Sequence, residues 1–376
     1  MKIETFEMER TQCLFENRVE LNLSESGVFP LRISELLDGA DDVERFVANK
    51  LSYCESDGSQ IFRERIAQFY PDCRPENITI TNGGSEANYV TLWTLLEPDG
   101  RLACMIPNYM QAWGLGCAYA DGVDTFELVT QEESGQCRWA LDVESLKRAV
   151  TPGTNVILVT NPNNPTGAVL TAAEMDAVVD IASRADAWLV VDEIYRGAEV
   201  QGGTSPTFWG RYEKVVITSG LSKAFGMPGL RVGWVVAPPK LIEDLWVRHD
   251  YLTLTPSLMS DRLGAIAMEP QRRESILART RRIIRENLPP IEKWFSERDD
   301  IFTYVRPEAG AIFYSKYKLP INSAELINRL IAEKSTLLTP AEHFGLKEGI
   351  RIGFGYDVDK SLEGLARAEA LMRTMK

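Results

Sequence analysis

Apolar residues in this chain come in short unbroken runs rather than alternating with polar ones. Residues 78–81, 102–106, 156–160, 188–192, 215–219 and 232–237 are dominated by Ile, Val, Leu, Thr, Ala and Met, and Gly, Pro or Asn often stands nearby. Runs of this length predict strands buried on both faces. Between them lie stretches with apolar residues three and four apart, at 60–70, 87–96 and 172–185, which predict helices. Strand and helix in alternation predict an α/β fold with a mostly parallel, doubly wound sheet. After about residue 240 the texture changes. Residues 260–298 read as one long charged helix, followed by shorter strands at 301–305, 311–317 and 350–354 and a closing helix over 361–376. We expect a large domain over 45–250 and a smaller α+β domain made of 1–44 together with 251–376. The first 45 residues combine an amphipathic start with a loop at 22–30 that contains Gly27 and Pro30.

Charge narrows the partners. Lys and Arg total 41 against 54 Asp and Glu, a net charge of −13. This argues against nucleic acid or an anionic membrane as the main partner. An anionic cofactor remains compatible, because local donors rather than net charge build such a site. Six cysteines are scattered without a C-x-x-C pair and there are only two histidines, His249 and His343, so no metal site is expected. No apolar run approaches the ~18 residues of a membrane span, and the acidic start is unlike a targeting signal. The expectation is a soluble cytoplasmic protein with free thiols.

In an open α/β sheet, ligands sit where strands end and loops begin. The informative residues fall at such points. Lys223 follows the strand 215–219. A lysine at the mouth of a buried strand is costly unless used, and desolvation turns it into an imine-forming nucleophile. Arg231, eight positions on among Gly226, Gly229 and Gly233, carries a planar fork suited to phosphate. Gly83-Gly84-Ser85-Glu86 follows the strand 78–81 and opens a helix, where free N–H groups cradle an anion, although most Gly-rich turns are only turns. Asp192 ends an apolar strand and calls for a cationic partner or a helix to cap. Tyr195, three residues on, aims at the same area. Asn164 stands before Pro165 in a rigid turn after 156–160. Tyr109 follows 102–106, a position where aromatics either pack or stack on a ligand. Arg351, on a strand with apolar neighbours, needs an anion, most naturally a carboxylate. Gly220-Leu221-Ser222-Lys223-Ala224 also approaches the nucleophile elbow of a hydrolase. That reading would need His343 as its base and leaves Asp192, Asn164 and Arg231 without a role.

Taken in order, NPNNPTG (161–167), DEIY (192–195) and SGLSKAFGMPGLRVGW (219–234) resemble the class I/II aminotransferases, the fold-type I enzymes that use pyridoxal 5′-phosphate (PLP). The likeness runs from about residue 20 to the end. It implies a large PLP-binding domain and a homodimer with shared active sites. It also implies that Lys223 holds PLP as an aldimine, that Asp192 keeps the pyridine nitrogen protonated, and that Asn164 and Tyr195 hydrogen-bond the ring oxygen. Tyr109 corresponds to the stacking aromatic, and Gly84, Ser85, Ser222 and Arg231 to phosphate ligands. Tyr53 corresponds to the tyrosine that reaches a neighbouring subunit's phosphate. Arg351 corresponds to the arginine that grips the substrate carboxylate, with Asn164 and Gly27 beside it. Two positions depart from the pattern. Gly220 stands where Ser or Thr is usual, so one phosphate hydroxyl is expected to be missing, and the motif at Tyr53 reads Tyr53-Cys54-Glu55 rather than Tyr-x-Pro.

The reaction implied is transfer of an α-amino group between an amino acid and a 2-oxo acid, with Lys223 carrying a proton from Cα to the cofactor and Asp192 and Tyr195 assisting. The loop at 22–30 and the acidic start are also similar to PLP enzymes of the capreomycidine synthase type. These act on arginine-derived amino acids by elimination, cyclisation or oxidation. In that alternative Glu7, Glu9 or Glu25 would meet a guanidinium; otherwise each is expected to be a solvated surface acid. A PLP-binding transcription regulator would require a basic DNA-binding module, which the N-terminus lacks.

Overall fold

The unbroken apolar runs form six strands of one eight-stranded sheet in the computed structural model, which describes residues 3–133 and 135–375. The strands are β1 (Leu21–Asn22), β2 (Ile78–Thr81), β3 (Arg101–Ile106), β4 (Gly122–Glu133), β5 (Gln136–Leu141), β6 (Thr154–Thr160), β7 (Trp188–Asp192), β8 (Val215–Gly220), β9 (Gly233–Val236), β10 (Phe302–Tyr304), β11 (Ile312–Tyr317), β12 (Thr336–Leu337), β13 (Thr339–Pro340) and β14 (Ile350–Gly353). The large sheet has the order β2-β9-β8-β7-β6-β3-β4-β5. Each neighbour pair from β8 through β4 is parallel. Only β9 and β5 run against the majority, since β2 pairs antiparallel with β9.

Alternate residues of the same strands enter two separate apolar clusters. Leu102, Val156, Leu158, Val190 and Val216 pack with the helices Gly84–Leu95 and Pro239–His249. Ala103, Ile157, Val159, Val191 and Ile217 pack on the other side with the helix Ala172–Arg184. Both faces are therefore covered, which is why these strands read as continuous apolar runs. The hairpin β4–β5 was not anticipated. It lies at the sheet edge, where Phe126 and Leu128 are buried while Glu127 and Thr125 are not, and period-2 alternation there was the available signal.

The long charged stretch is two helices, Leu258–Ala267 and Pro270–Ser296. Pro270 cannot donate to a preceding turn, and the Glu269 side chain accepts from the Arg272 N–H at 3.0 Å to begin the second helix. A four-stranded antiparallel sheet, β10-β11-β14-β13, follows, with Arg351 on β14 opposite Tyr314 and Thr339. Among the described residues no helix is long and apolar enough to cross a membrane.

The N-terminal segment forms a separate two-stranded sheet with β12 and also hydrogen-bonds β14 of the four-stranded sheet. β1 runs parallel to β12, the Gly353 N–H donates to the Leu23 carbonyl at 2.7 Å, and Val28 bridges Gly355. A helix, α1 (Glu7–Phe15), precedes it. The approach at Gly353 is so close that a Cβ there would lie 1.6 Å from the Glu25 carbonyl oxygen. Backbone on both sides leaves little room to yield. Gly353→Ala is therefore expected to cost about 2–4 kcal/mol by displacing the 23–27 segment, read as a lowered midpoint in urea unfolding.

Candidate active site

Four parallel strands deliver their C-terminal ends to one rim. β7 ends at Asp192, β6 leads to Asn164, β8 leads to Ser222 and Lys223, and β3 leads to Tyr109. These residues, with Gly84, Ser85, Tyr195, Arg231 and Arg351, line a single cavity of about 300 Å³, a size suited to a small ligand. Ten of the twelve site residues expected from sequence are thus brought together.

Gly27 is not on the lining but lies behind it; a Cβ there would be 3.9 Å from Lys223 Cδ. Tyr53 is not on this chain's cavity lining and is 84% exposed.

Asp192 is buried and its oxygens accept from Asn88 Nδ2 at 2.9 Å and from the Ile194 N–H at 3.0 Å. Thr218 in turn donates to the Asn88 amide oxygen. No helix begins at Asp192, and the cation expected beside it is instead the neutral amide of Asn88. Burial pushes its carboxyl above the usual range, only partly offset by these two donors. Asn88 had no sequence signal beyond its place on a helix facing the strand ends.

The rim toward Arg231 is built by glycine. A Cβ on Gly83 would lie 2.4 Å from Arg231 Nη2, and one on Gly233 would lie 2.4 Å from the Gly83 carbonyl carbon. Gly220 faces Gly233 across β8–β9, and a Cβ there would meet the Val232 carbonyl oxygen at 2.6 Å. The missing hydroxyl at position 220 therefore has a steric reason. Gly83 caps the helix Gly84–Leu95 with φ 98°, so the free N–H groups of its first turn open beside Arg231, itself left-handed at φ 50°. Gly229, by contrast, has open space around it and plays no part in this packing.

Polar groups without partners face the cavity. The Tyr195 hydroxyl and the Asn164 amide oxygen are buried and unpaired. Arg351 is 1% exposed; its Nη2 donates to the Ser24 carbonyl and to Thr339 Oγ1, both at 2.8 Å, while Nε and Nη1 have no acceptor. A buried donor left unmade costs about 1–3 kcal/mol, more when charged, so these groups are arranged for a ligand with acceptors.

The N-terminal segment supplies residues that sequence placed in solvent. Glu25 Oε1 accepts from Lys223 Nζ at 2.9 Å and from the Ser26 and Gly27 N–H groups at 2.9 and 3.1 Å. Glu9 accepts from the Tyr109 hydroxyl at 2.8 Å, and Phe6 packs edge-on to the Tyr109 ring with centroids 4.8 Å apart. Glu16 also reaches the cavity, whereas Glu7 is exposed as expected. Burial works against the Glu25 charge, but the Lys223 ammonium and the two backbone donors outweigh it and hold the carboxyl at about 2. For Lys223, burial lowers its basicity, but Glu25 and Tyr195 together outweigh it and raise it overall. Ser222 lines the same cavity, but His343 does not, and His343 Nδ1 has no hydrogen-bond partner among the described residues.

The family Aminotransferase class I and II matches residues 48–367. Capreomycidine synthase of Streptomyces vinaceus is 27% identical over 77% of this chain and 72% of its own length. Aromatic-amino-acid aminotransferase 2 of Thermococcus litoralis is 25% identical over 93% of both chains. Among solved structures, a PLP-dependent aminotransferase from Streptococcus suis superposes with a TM-score of 0.91 at 28% identity, covering 100% of this chain and 99% of the other.

The residues present fit PLP: a recessed carboxylate for a ring nitrogen, unpaired Tyr195 and Asn164 for a ring oxygen, and a helix N-terminus with Arg231 for a phosphate. The Glu25 geometry carries a sign-determined pH dependence. Its folded value is depressed from 4.5 to about 2, so its contribution is present above pH 4.5 and is lost as pH falls toward 2. Glu25→Gln is expected to lose less stability than the unsubstituted protein over that interval, measured by urea unfolding at stepped pH on cofactor-free protein.

Proposed function

The chain belongs to the class I and II aminotransferases, PLP-dependent transferases that move amino groups between amino acids and 2-oxo acids, and from that premise we propose how its own residues serve the reaction. Lys223 would hold the cofactor through its side-chain nitrogen and, as the free amine, would take up and pass on the proton from the substrate Cα. PLP supplies an aldehyde that captures amines and a ring that draws in the electron pair left at Cα. Asp192 keeps a proton on the ring nitrogen; its burial and neutral partners strengthen its attraction for a cation there. Tyr195 and Asn164, unpaired on the lining, would orient the ring by hydrogen bonding, and Tyr109 would pack against it. Gly84, Ser85, Ser222 and Arg231 bind the phosphate. The observation that carries the reading is Arg351, wholly buried with two donors unpaired in the same cavity as Lys223. A substrate carboxylate satisfies both.

The reading extends to assembly. Val43, Val47, Leu51, Tyr53 and Ile61 are exposed apolar residues close in sequence, which supports a surface covered by a second copy. A homodimer in which Tyr53 reaches the partner's phosphate is part of the proposal, as are the division at 45–250 and a cytoplasmic location. The separate eight- and four-stranded sheets support the division. All six cysteines are free, in keeping with the location.

A second reading, elimination or cyclisation of an arginine-derived amino acid, is favoured by one observation, the acidic lining contributed by Glu9, Glu16 and Glu25. Mixing the PLP-loaded protein with a panel of amino acids and either 2-oxoglutarate or pyruvate separates the two. Amino-group exchange supports transfer; a cyclic or dehydrated product from hydroxyarginine without exchange supports the second. Lys223→Ala is expected to abolish both the visible absorbance of bound cofactor and turnover, and a persistent band would mean another lysine holds it. Arg351→Gln is expected to raise KM about 100-fold with a smaller effect on cofactor absorbance, measured by steady-state kinetics.

A further inference from the structure

We propose that Glu25 is a counter-ion shared between two cations: Lys223 in the unloaded chain, and the amine or guanidinium side chain of the substrate once the Lys223 nitrogen is committed to the cofactor. The inference rests on the reading of Lys223 and Arg351 given above, and it names the class of substrate.

The argument is a count of charges. The cavity is lined by three cations, Lys223, Arg231 and Arg351, and by four carboxylates, Glu9, Glu16, Glu25 and Asp192. Three of these seven are committed by ligand groups: Arg231 by the phosphate, Asp192 by the ring nitrogen, Arg351 by the substrate carboxylate. Lys223 gives up its ammonium charge when its nitrogen is bonded to the cofactor, and once freed it must again be the uncharged amine to take the Cα proton. Glu9, Glu16 and Glu25 are then uncompensated. Glu9 and Glu16 are in no ion pair among the described residues; Glu9 holds the Tyr109 hydroxyl, and Glu16 has only a long contact of 3.4 Å from Asn17. Glu9 and Glu16 are half-buried, so the cost of a carboxylate without a cation falls mainly on Glu25; a cationic side chain removes that cost, whereas a second carboxylate adds to it. The unpaired Arg351 donors and the unpaired Tyr195 hydroxyl in the same cavity show independently that it is built around a ligand.

Glu25 is the best placed of the three. It cannot swing away with Lys223, because two backbone N–H groups hold Oε1 and the Glu25 carbonyl is packed against Gly353 of β14. One strand away on that sheet, the Thr339 hydroxyl accepts from Arg351, and Arg351 also holds the Ser24 carbonyl. The carboxylate grip and the cation grip are thus fixed to one short segment, at a separation set by the backbone. An amino acid with an anionic end and a cationic side chain spans them.

The test compares the PLP-loaded protein and its Glu25→Gln variant. The change in cofactor absorbance is titrated with L-arginine and L-lysine, with the neutral near-isosteres L-citrulline and L-norleucine, and with L-aspartate. The inference expects arginine or lysine to bind at least 10-fold tighter than its neutral counterpart, aspartate to bind weakest, and the preference to fall to within about 3-fold in Glu25→Gln. A second arm needs no turnover. Cofactor-free protein is mixed with PLP and the rate of covalent loading at Lys223 is followed by reduction and mass spectrometry. Freed from its ion pair, Lys223 is expected to load several-fold faster in Glu25→Gln. Should Glu25→Gln fail to fold, as judged by circular dichroism, Glu9→Gln replaces it in the first arm and is expected to halve the preference or more. Equal binding of arginine and citrulline, or tight binding of aspartate, overturns the inference while leaving the aminotransferase reading in place. Absence of any cofactor absorbance in the unsubstituted protein overturns that reading instead.

Discussion

Val191 and Ile217 are wholly buried, and the residues one step further along their strands, Asp192 and Thr218, still lie inside the sheet. A parallel sheet covered on both faces leaves polar side chains no outlet except the strand ends. Each one found there must be hydrogen-bonded or used. That constraint organises the molecule. Thr218 donates to Asn88, Asn88 donates to Asp192, and the Asp192 carboxylate is left facing the cavity with no cation supplied by the protein.

The same constraint explains the crowding of glycine at the opposite edge of the site. β2 and β8 flank β9, and their ends meet at Gly83, Gly220 and Gly233, where any Cβ would overlap backbone or the Arg231 guanidinium. The close approach turns the first free N–H groups of the helix Gly84–Leu95 toward the cavity and lays Arg231 across them. A hydroxyl at position 220 is sacrificed for this, and Ser222 and Ser85 are the hydroxyl-bearing residues left on that rim.

What closes the site comes from elsewhere in the chain. The segment 21–28 is stitched to β12, its partner in a two-stranded sheet, and to β14 of the smaller sheet, and carries Glu25 to Lys223. α1 then brings Glu9 to Tyr109. The floor of the cavity belongs to the large sheet, while Arg351 and the segment that carries Glu25 belong with the small one. In the proposed reading, reaction chemistry and substrate choice are then carried by different parts of the fold, in keeping with a family whose relatives here include aminotransferases and a capreomycidine synthase.

Local physics accounts for what was legible beforehand. Six core strands appear within one or two residues of the apolar runs that announce them, because burial on both faces allows no polar interruption. The residues at their ends stood out because Lys223, Asp192 and Arg351 are charged residues where charge is costly. Features that depend on two distant segments meeting were not legible. Glu25 and Glu9 read as surface acids, since nothing near them in sequence reveals that Lys223 lies 198 positions from one and that Tyr109 lies 100 from the other. Asn88 under Asp192 and the steric demand on Gly220 were settled the same way, whereas the break before Pro270 had a local signal in the proline itself. Burial periodicity is a property of one stretch of chain, whereas an ion pair between a loop and a strand end exists only once the sheets have fixed where both backbones run.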